Sequence, residues 1–596
     1  MSVQFSGKIR SAWLQAMSEE VLDLLVIGGG ITGAGIALDA ASRGLRTGLV
    51  EMQDYAAGTS SRSTKLVHGG LRYLKQLEIK LVAEVGKERA IVYENGPHVT
   101  TPEWMLLPIY TGGTFGRWST SLGLRLYDYL AGVKRNERRK MLGREETLKR
   151  EPLLQRSGLK GGGYYVEYRT DDARLTIEVM KKAIELGARA VNYTAVEELL
   201  YEEGRIVGVR VIDRLSGEVY RLRAKKIVNA TGPWVDTLRE LDKSKKGKTL
   251  HLTKGVHLVF DQSRFPLGQA VYFDTPDRRM VFAIPRDGKT YVGTTDTNYN
   301  GDRVNPLLTV HDRQYLINAV NSLFPDVKLT EQDVESSWTG LRPLIHQEGR
   351  DPSEISRRDE VLVSASGLIS IAGGKLTGYR KMAEAVVDLA AGQLQAEGAA
   401  AIPASRTKRL PISGGDVGGS ARLAAFVAAK RDEARRLGLG DAEAERIVRR
   451  YGSNVDAVFA LIRVEEAAAG AEAAPALEAQ GGAAGVGVDG ASPAVKTAVA
   501  SVGRGAETAA ADLPAYLRAE LAYSVDQEMT VKPVDFFIRR TGALFFDIAW
   551  VRQWKEPVIA WMQKDFGWSD ERTAEYATEL ENRLREATVP AERDHF

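Results

Sequence analysis

Three glycines near the N-terminus have the spacing of a dinucleotide-binding turn. Gly28, Gly30 and Gly33 fit the pattern Gly-x-Gly-x-x-Gly. The first glycine permits a tight turn, the second lets the backbone approach a pyrophosphate, and the third lets a helix pack closely on a strand. Glu51 follows where an acid can accept hydrogen bonds from the adenosine ribose. The alternative is an ordinary glycine-rich turn beside a solvated glutamate. The secondary structure predicted around these residues distinguishes the two interpretations.

Those elements match a β-α-β unit. The apolar run 22–27 predicts a buried strand, residues 31–42 are rich in helix formers, and 47–50 predicts a second strand that ends at Glu51. Because the helix begins at the glycines, its backbone N–H groups and the positive end of its dipole would face the phosphates. With strand, helix and acid in place, dinucleotide binding is the favoured interpretation.

Two distant segments favour FAD over NAD. Ala230 and Gly232 follow one buried strand, and Gly373 and Gly374 follow another, LVSASGLISIA, ahead of a helix. Each would bring small residues and backbone amides to the cofactor from a distant part of the chain. Wrapping a flavin requires such contributions, whereas a nicotinamide normally does not. FAD is therefore the predicted cofactor.

The composition excludes several other classes of protein. The chain of 596 residues carries 81 Lys+Arg and 78 Asp+Glu, and its net charge of +3 does not indicate the strongly basic surface that binds nucleic acid. Without cysteine there are no disulfides, thiolate nucleophiles or iron–sulfur clusters. No Asp/His cluster suggests a metal, and no Gly-x-Ser-x-Gly elbow is present. No signal peptide or run of about 18 apolar residues is visible, so we expect a cytoplasmic protein.

Pattern changes divide the chain into three parts. Residues 1–20 are an N-terminal extension, 21–405 a doubly wound, Rossmann-like α/β FAD-binding domain interleaved with an antiparallel β-sheet substrate domain, and 406–596 a C-terminal α-helical domain. Pieces such as GVHLVF and KTYVGTTD predict the antiparallel sheet. The Ala/Gly-rich run 465–512 predicts a mobile loop or linker within the helical domain.

Several short motifs occur together in the order found in one enzyme family. They are GGGITGAG, TSSRSTKLVHGGLRYL, DDARL, NATGPW, GTTD, GLRPL and GGKLTGYRKMAE. In these motifs the chain resembles the FAD-dependent glycerol-3-phosphate dehydrogenases over roughly residues 20–390, and more weakly around AELAYSVDQEMTVKPVDFFIRRTGALFFD. The resemblance implies oxidation of sn-glycerol 3-phosphate to dihydroxyacetone phosphate, with hydride transfer to FAD and electrons passed to a membrane quinone.

The resemblance also implies which residues bind the substrate phosphate. Arg72, with Tyr73 beside it, and Arg342 in GLRPL match the substrate arginines of the family. Arg357 resembles a third, although the neighbouring Arg358 leaves the register open by one residue. The planar guanidinium suits a phosphate, while a surface ion pair is the alternative for any single arginine.

For the chemical step, the resemblance places His257 in the sheet that covers the flavin, where it is the predicted base. His68 is the rival, but it is better explained as part of a flavin loop. Lys375 would stabilise negative charge on the reduced flavin or the bound anion. The predicted catalytic residues are therefore His257, Arg342 and Lys375.

The predicted FAD contacts come from the same motifs, with Val196 as a candidate for the adenine pocket. They are Gly28, Gly30, Gly33, Glu51, Ser60, Ser61, Lys65, His68, Gly69, Val196, Ala230, Gly232, Gly373, Gly374, Lys375 and Thr377.

An amphipathic segment with a basic end is a candidate membrane contact. Residues 115–140 combine aromatic and leucine side chains with a cluster of lysines and arginines, which suits an anionic bilayer surface. An ordinary helix packed on the core is the alternative. The resemblance implies peripheral attachment to the inner face of the cell membrane, and a homodimer is compatible with the sequence.

Three other functions stay open at this point. A glycerol-3-phosphate oxidase would use the same chemistry and be reoxidised by oxygen. A flavin-dependent amino-acid oxidase is disfavoured because three arginines suit a phosphate better than one carboxylate. A non-catalytic FAD-binding or tRNA-associated protein is disfavoured by the combination of the HGGLRYL and GGKLT motifs.

Overall fold

The computed structural model describes residues 5–68, 79–114, 116–130, 137–347, 359–479 and 513–592. The strands are β1 (Val21–Ile27), β2 (Thr47–Val50), β3 (Leu66–Val67), β4 (Thr100–Tyr110), β5 (Lys140–Leu142), β6 (Leu159–Thr170), β7 (Arg189–Val191), β8 (Thr194–Glu202), β9 (Arg205–Asp213), β10 (Val219–Asn229), β11 (Lys248–Asp261), β12 (Ala270–Asp274), β13 (Met280–Arg286), β14 (Lys289–Gly293), β15 (Thr297–Asn298), β16 (Val334–Gln347), β17 (Glu360–Val363) and β18 (Ile369–Ala372).

The helices surround these strands in the first two thirds of the chain and follow them in the last third. They are α1 (Arg10–Ser18), α2 (Ile31–Ser42), α3 (Ile79–Asn95), α4 (Arg117–Leu130), α5 (Arg144–Arg150), α6 (Asp172–Glu185), α7 (Val235–Leu241), α8 (Val310–Leu323), α9 (Tyr379–Ala396), α10 (Leu423–Arg436), α11 (Asp441–Tyr451), α12 (Val455–Ala479), α13 (Ala515–Gln527), α14 (Ala543–Phe546), α15 (Ile548–Phe566) and α16 (Asp570–Thr588).

One sheet carries the predicted nucleotide-binding unit. Its parallel strands run in the order β18-β10-β1-β2-β7, with β17 antiparallel at one edge and the β8–β9 hairpin joined to β10. Strand β1 is almost wholly buried, as expected for a parallel strand covered on both faces. Helix α2 packs so closely on α9 that a Cβ at Gly35 would lie 2.9 Å from the Tyr379 ring. The predicted β-α-β unit and the α/β fold are confirmed.

A second sheet forms the predicted substrate side. Its strands run in the order β15-β11-β14-β13-β12-β4-β6-β3, with β16 on the other edge of β11 and β5 on β6. All its pairs are antiparallel except β12 with β4. The long strands β11 and β16 pair along most of their length, which puts His257 opposite Trp338 and Thr253 opposite Arg342. Distant parts of the sequence therefore meet on one face.

The C-terminal helices contact both sheets. Their apolar side chains form one core cluster with residues of the second sheet, including Trp338. Buried charges join the C-terminal domain to the segment after β2 and to α6: Arg540 donates to both carboxylate oxygens of Asp54, at 2.6 and 2.9 Å, and Arg174 of α6 donates to Glu528 at 2.8 Å. Such charges must be paired because an unpaired charge is costly to bury.

Two local predictions were wrong. LVSASGLISIA, expected as one strand, is a hairpin of β17 and β18 whose turn contains Gly367 with φ +96°. The first part of the run 465–512, expected as a loop, continues α12 to Ala479, because alanine is the strongest helix former. Residues 480–512 lie outside the described part of the chain.

The N-terminal extension contains α1, whose Arg10 is buried and paired with Asp213 at 2.8 Å. Within the described ranges, no helix combines the length and the apolar content that crossing a bilayer requires.

Candidate active site

The turn after β1 has the geometry that a pyrophosphate needs. Gly28 has φ +112°, a region that side-chain-bearing residues rarely adopt, and a Cβ at Gly33 would lie 1.9 Å from the Gly28 carbonyl oxygen. Gly30 caps the N-terminus of α2, and the next N–H group, that of Ile31, donates to Ser60 Oγ at 2.9 Å. The predicted residues Gly28, Gly30, Gly33 and Ser60 therefore meet at the start of α2.

Glu51 lies beside this turn. Its carboxylate accepts from the N–H groups of Gly29 (2.6 Å) and Gln53 (2.8 Å), while burial raises its pKa. The Thr194 N–H donates to the Glu51 carbonyl oxygen at 2.6 Å, which brings the start of β8, and with it half-buried Val196, close to the acid. This arrangement fits an adenosine ribose at Glu51.

The turns after β3 and β18 are joined by one side chain. The His68 N–H donates to Thr377 Oγ1 at 3.1 Å, and this hydroxyl lies at the same distance from the His68 carbonyl oxygen, to which it donates. Gly374, Lys375 and Thr377 line a cavity together with His68. Burial, and then Lys375, lower the pKa of His68 to about 3. His68 is therefore neutral and lies next to the turn after β18.

The cavity has a volume of about 450 Å³ and is lined by strands of the second sheet, by the segment before β3 and by the turn after β18. His257 on β11, Arg342 on β16 and Lys375 after β18 all line it. The three predicted catalytic residues thus come together, although they are distributed over more than a hundred positions of the sequence.

His257 is buried and held on one side by an aromatic ring. Its imidazole stacks on Trp338 with ring centres 4.7 Å apart and planes 11° apart, and its Nε2 lies 3.0 Å from Thr64 Oγ1. Burial, followed by the charges of Arg342 and Lys65, lowers the pKa of His257 well below its ordinary value. The ring is therefore neutral at neutral pH and able to accept a proton.

Arg342 is held by the segment after β14. Its guanidinium donates to Thr294 Oγ1 at 2.8 Å and to the Thr295 carbonyl oxygen at 3.2 Å, and it lies 3.4 Å from Asp296. These contacts fix the planar group at the wall of the cavity, the geometry that suits a phosphate.

These features fit FAD. The glycine turn and the N-terminus of α2 can hold the pyrophosphate, Glu51 the ribose, and the joined turns at His68 and Thr377 the flavin edge of the cavity. A family model described as FAD dependent oxidoreductase matches residues 23–380, and one described as the C-terminal domain of alpha-glycerophosphate oxidase matches 405–573.

The aerobic glycerol-3-phosphate dehydrogenase of Bacillus subtilis (strain 168) is 58% identical to this chain, over 99% of this chain and 100% of its own length. The chain belongs to the FAD-dependent glycerol-3-phosphate dehydrogenases. The crystal structure of the glycerol-3-phosphate dehydrogenase from Bacillus halodurans complexed with FAD has 48% identity and a TM-score of 0.80, covering 99% of this chain and 100% of that one. The predicted family, enzyme class and cofactor are confirmed.

A more distant structure shares the fold alone. The L-alpha-glycerophosphate oxidase from Mycoplasma pneumoniae with FAD bound has 19% identity and a TM-score of 0.51, and it covers 62% of this chain and 95% of its own. The glycerol-3-phosphate dehydrogenase family thus accounts for the full length of this chain, including the C-terminal helices.

Several residues that were predicted to contact FAD or the substrate do not place a side chain in the cavity. The Lys65 ammonium pairs with Asp172 at 2.6 Å and donates to the Ser61 carbonyl oxygen at 2.9 Å, and neither Lys65 nor Ser61 lines the cavity. Ala230 packs against Gly28, where a Cβ would approach its carbonyl oxygen to 2.6 Å. Gly232 begins the short turn before α7, and Gly373 begins the turn after β18. Gly69, Arg72, Tyr73 and Arg357 lie outside the described residues.

Sequence reasoning missed several residues in and around this cavity. Thr64 and Trp338 contact His257, and Arg62, Arg278 and Arg279 line the cavity. Burial, and then nearby Arg583, lower the pKa of Arg62 to about 9. Arg62 and Thr64 belong to the motif TSSRSTK, so the sequence could have indicated them as site residues. No motif in the sequence indicates Trp338, Arg278 or Arg279.

Proposed function

We propose that the protein oxidises sn-glycerol 3-phosphate to dihydroxyacetone phosphate with FAD, and that His257, Arg342 and Lys375 perform the reaction. The observation that carries this proposal is that the neutral imidazole of His257 lines the same cavity as the cationic side chains of Arg342 and Lys375. A neutral base and cationic groups are what a phosphorylated secondary alcohol needs for oxidation.

The substrate phosphate binds at Arg342, which Thr294 and Thr295 hold at the cavity wall. Arg72 and Arg357 complete the phosphate site in this proposal, as the family resemblance implies. The amino-acid oxidase alternative is disfavoured by the same set, because a carboxylate needs fewer cations. Binding of a phosphate dianion also brings negative charge close to His257 and raises its proton affinity.

His257 takes the proton of the C2 hydroxyl. Its ring is held by Trp338 and Thr64, so the imidazole is oriented before the substrate arrives. When bound, FAD supplies the acceptor for the hydride that leaves C2. Lys375 and Arg342 stabilise the negative charge that develops on the substrate oxygen as the proton leaves.

The direct test is anaerobic reduction of the purified flavoprotein. We expect its yellow flavin absorbance to bleach on addition of sn-glycerol 3-phosphate, because the cavity binds the phosphate next to the cofactor. Glycerol, which lacks the phosphate, and the enantiomer sn-glycerol 1-phosphate are the controls and should bleach it far more slowly. A flavin that stays oxidised with sn-glycerol 3-phosphate would refute the proposed activity.

A membrane quinone is the electron acceptor in this proposal, and the protein attaches peripherally to the inner face of the cell membrane. The candidate contact is the segment 115–140, of which α4 and residues 137–140 are described. On α4, Leu122 is 70% exposed while Leu124 is fully buried. An exposed leucine on a helix followed by a basic run suits the surface of an anionic bilayer.

The acceptor and the membrane contact can be tested together. With anionic vesicles that contain a long-chain quinone, we expect the protein to float with the vesicles and to reduce quinone while consuming little oxygen. Leu122→Ser should weaken flotation, whereas Leu241→Ser, which changes an exposed leucine on α7, should not. Oxygen uptake as fast as quinone reduction would instead indicate the oxidase, and equal flotation of all variants would exclude α4 as the contact.

A further inference from the structure

The C-terminal helical domain contacts Trp338 of β16, which in turn contacts His257. Trp338 is 3% exposed and stands directly opposite His257 in the β11–β16 ladder, where the two rings stack. The indole also packs against Phe545 and Phe546 of α14, and the centre of each phenyl ring lies 5.4 Å from the centre of the indole. An uninterrupted series of rings therefore connects the C-terminal domain to His257.

Hydrogen bonds hold this series in place from both ends. Trp338 Nε1 donates to the Ser63 carbonyl oxygen at 3.1 Å, which fixes the plane of the indole against the loop next to Thr64. Ser336 Oγ, two residues earlier on β16, donates to the Phe545 carbonyl oxygen, which ties α14 to the same strand. The indole is thus confined by β11, α14 and the loop before β3.

We propose that Trp338, supported by Phe545 and Phe546 of the C-terminal domain, is a positioning residue that orients His257 and stabilises the imidazolium formed when the substrate proton is taken up. This inference rests on the role of His257 as the base. It assigns the C-terminal domain a part in the chemical step besides its contribution to folding.

The electrostatic surroundings of His257 explain why such support matters. Arg342 from β16 and Lys65 from the loop before β3 both disfavour a positive charge on the ring, and burial does so more strongly. The charge of Lys65 is countered by Asp172 at 2.6 Å. Tyr291 from β14 packs on Trp338 at 5.6 Å, and burial keeps its phenol neutral by raising its pKa.

The indole presents an aromatic face to the imidazole, and its quadrupole also acts on the Lys65 ammonium, which lies 5.2 Å from the centre of the same ring. A stacked aromatic face stabilises a cation in a desolvated site, which here offsets part of the unfavourable surroundings. Without the indole, the imidazolium is less stable and the imidazole is a weaker base. The acid limb of the pH profile should then move to lower pH, while the plateau rate should fall.

The test compares three variants with bound FAD. We expect Trp338→Leu to lower kcat about three- to tenfold, to change KM for sn-glycerol 3-phosphate little, and to move the acid limb of kcat/KM to lower pH. Trp338→Phe keeps a stacking face and should recover most of the rate. Phe546→Leu should change the same quantities in the same direction but less, because it acts through Trp338.

Trp550→Leu is the matched control. Trp550 packs on Phe536 and Phe537 inside the C-terminal domain, with ring centres 6.4 and 5.8 Å away, and does not line the cavity. It should keep the wild-type pH profile. A wild-type rate and acid limb in Trp338→Leu would overturn the inference, as would equal shifts in Trp550→Leu. If His257→Ala is also fully active, the role of His257 as the base is refuted together with the role of Trp338. If His257→Ala is inactive, only the positioning role of Trp338 is refuted.

Discussion

A His257→Ala variant is expected to turn over about 10²- to 10⁴-fold more slowly than the wild-type protein, the usual contribution of a general base, while FAD stays bound. The loss should appear in kcat, because His257 acts on the hydroxyl proton and the phosphate is held by Arg342. The dinucleotide turn and Glu51 lie on the other sheet, so flavin content should not change. Steady-state kinetics and the ratio of flavin to protein measure the two quantities.

The pH dependence of the wild-type protein follows from the same histidine. The neutral imidazole is the competent form, so activity is present above its pKa and is lost as pH falls through that value. Because burial, Arg342 and Lys65 lower this pKa, kcat/KM should hold at pH values below the ordinary histidine pKa of about 6.5. An acid limb at or above that value would contradict the structure.

His251 provides the matched control for His257. It lies on the same strand, β11, but its Nε2 bonds to Asn298 at 2.9 Å at the protein surface. His251→Ala should therefore keep the wild-type rate. If His257→Ala also kept it, His257 would not be the base, and if free imidazole restored the lost rate of His257→Ala, proton transfer at this position would be supported.

Arg342→Gln is the second substitution with a large expected effect. Removing a guanidinium that binds a phosphate costs about 1.5–3 kcal/mol, so kcat/KM for sn-glycerol 3-phosphate should fall about 10- to 100-fold. The informative measurement is the ratio of kcat/KM for sn-glycerol 3-phosphate to that for glycerol. This ratio should collapse, since glycerol has no phosphate for Arg342 to bind. Arg342→Lys should restore only part of it because a lysine lacks the planar fork.

Arg264→Gln is the control for a general loss of positive charge. Arg264 is half-exposed and pairs with Asp333 at 2.6 Å, in the turn between β11 and β12. We expect its kinetics to match the wild type. An equal loss of activity on both substrates in Arg342→Gln would show that the arginine does not select the phosphate and acts only on the reacting oxygen or on the fold of the cavity.

The dinucleotide unit was predictable because its signals are local. The bounds predicted for α2 and β2 agree with the structure, and Gly28, Gly33 and Glu51 meet as their spacing requires. A strand, a tight turn and a helix depend on neighbouring residues, and short-range sterics restrict them strongly.

The turns and helix lengths in less regular segments were harder to predict. The apolar residues on both sides of SASG favour one continuous strand, whereas the structure turns at SASG and pairs β17 with β18. Helix α12 begins with residues that pack in the core of the C-terminal domain, and the alanines that follow favour its continuation to Ala479. The hairpin therefore depends on strand pairing, whereas the helix extension combines packing at its start with local helix preference.

By itself, the sequence determined the α/β fold, the dinucleotide-binding turn and, through its motifs, the family, and it predicted the histidine, arginine and lysine that line one cavity. Only the tertiary structure decided what surrounds them: the stack of Trp338 on His257, the hydrogen bond to Thr64, and the pairing of Lys65 with Asp172. The physical reason is that these contacts depend on the register of paired strands and on the packing of the C-terminal helices. Neither leaves a periodic or spaced pattern along the chain.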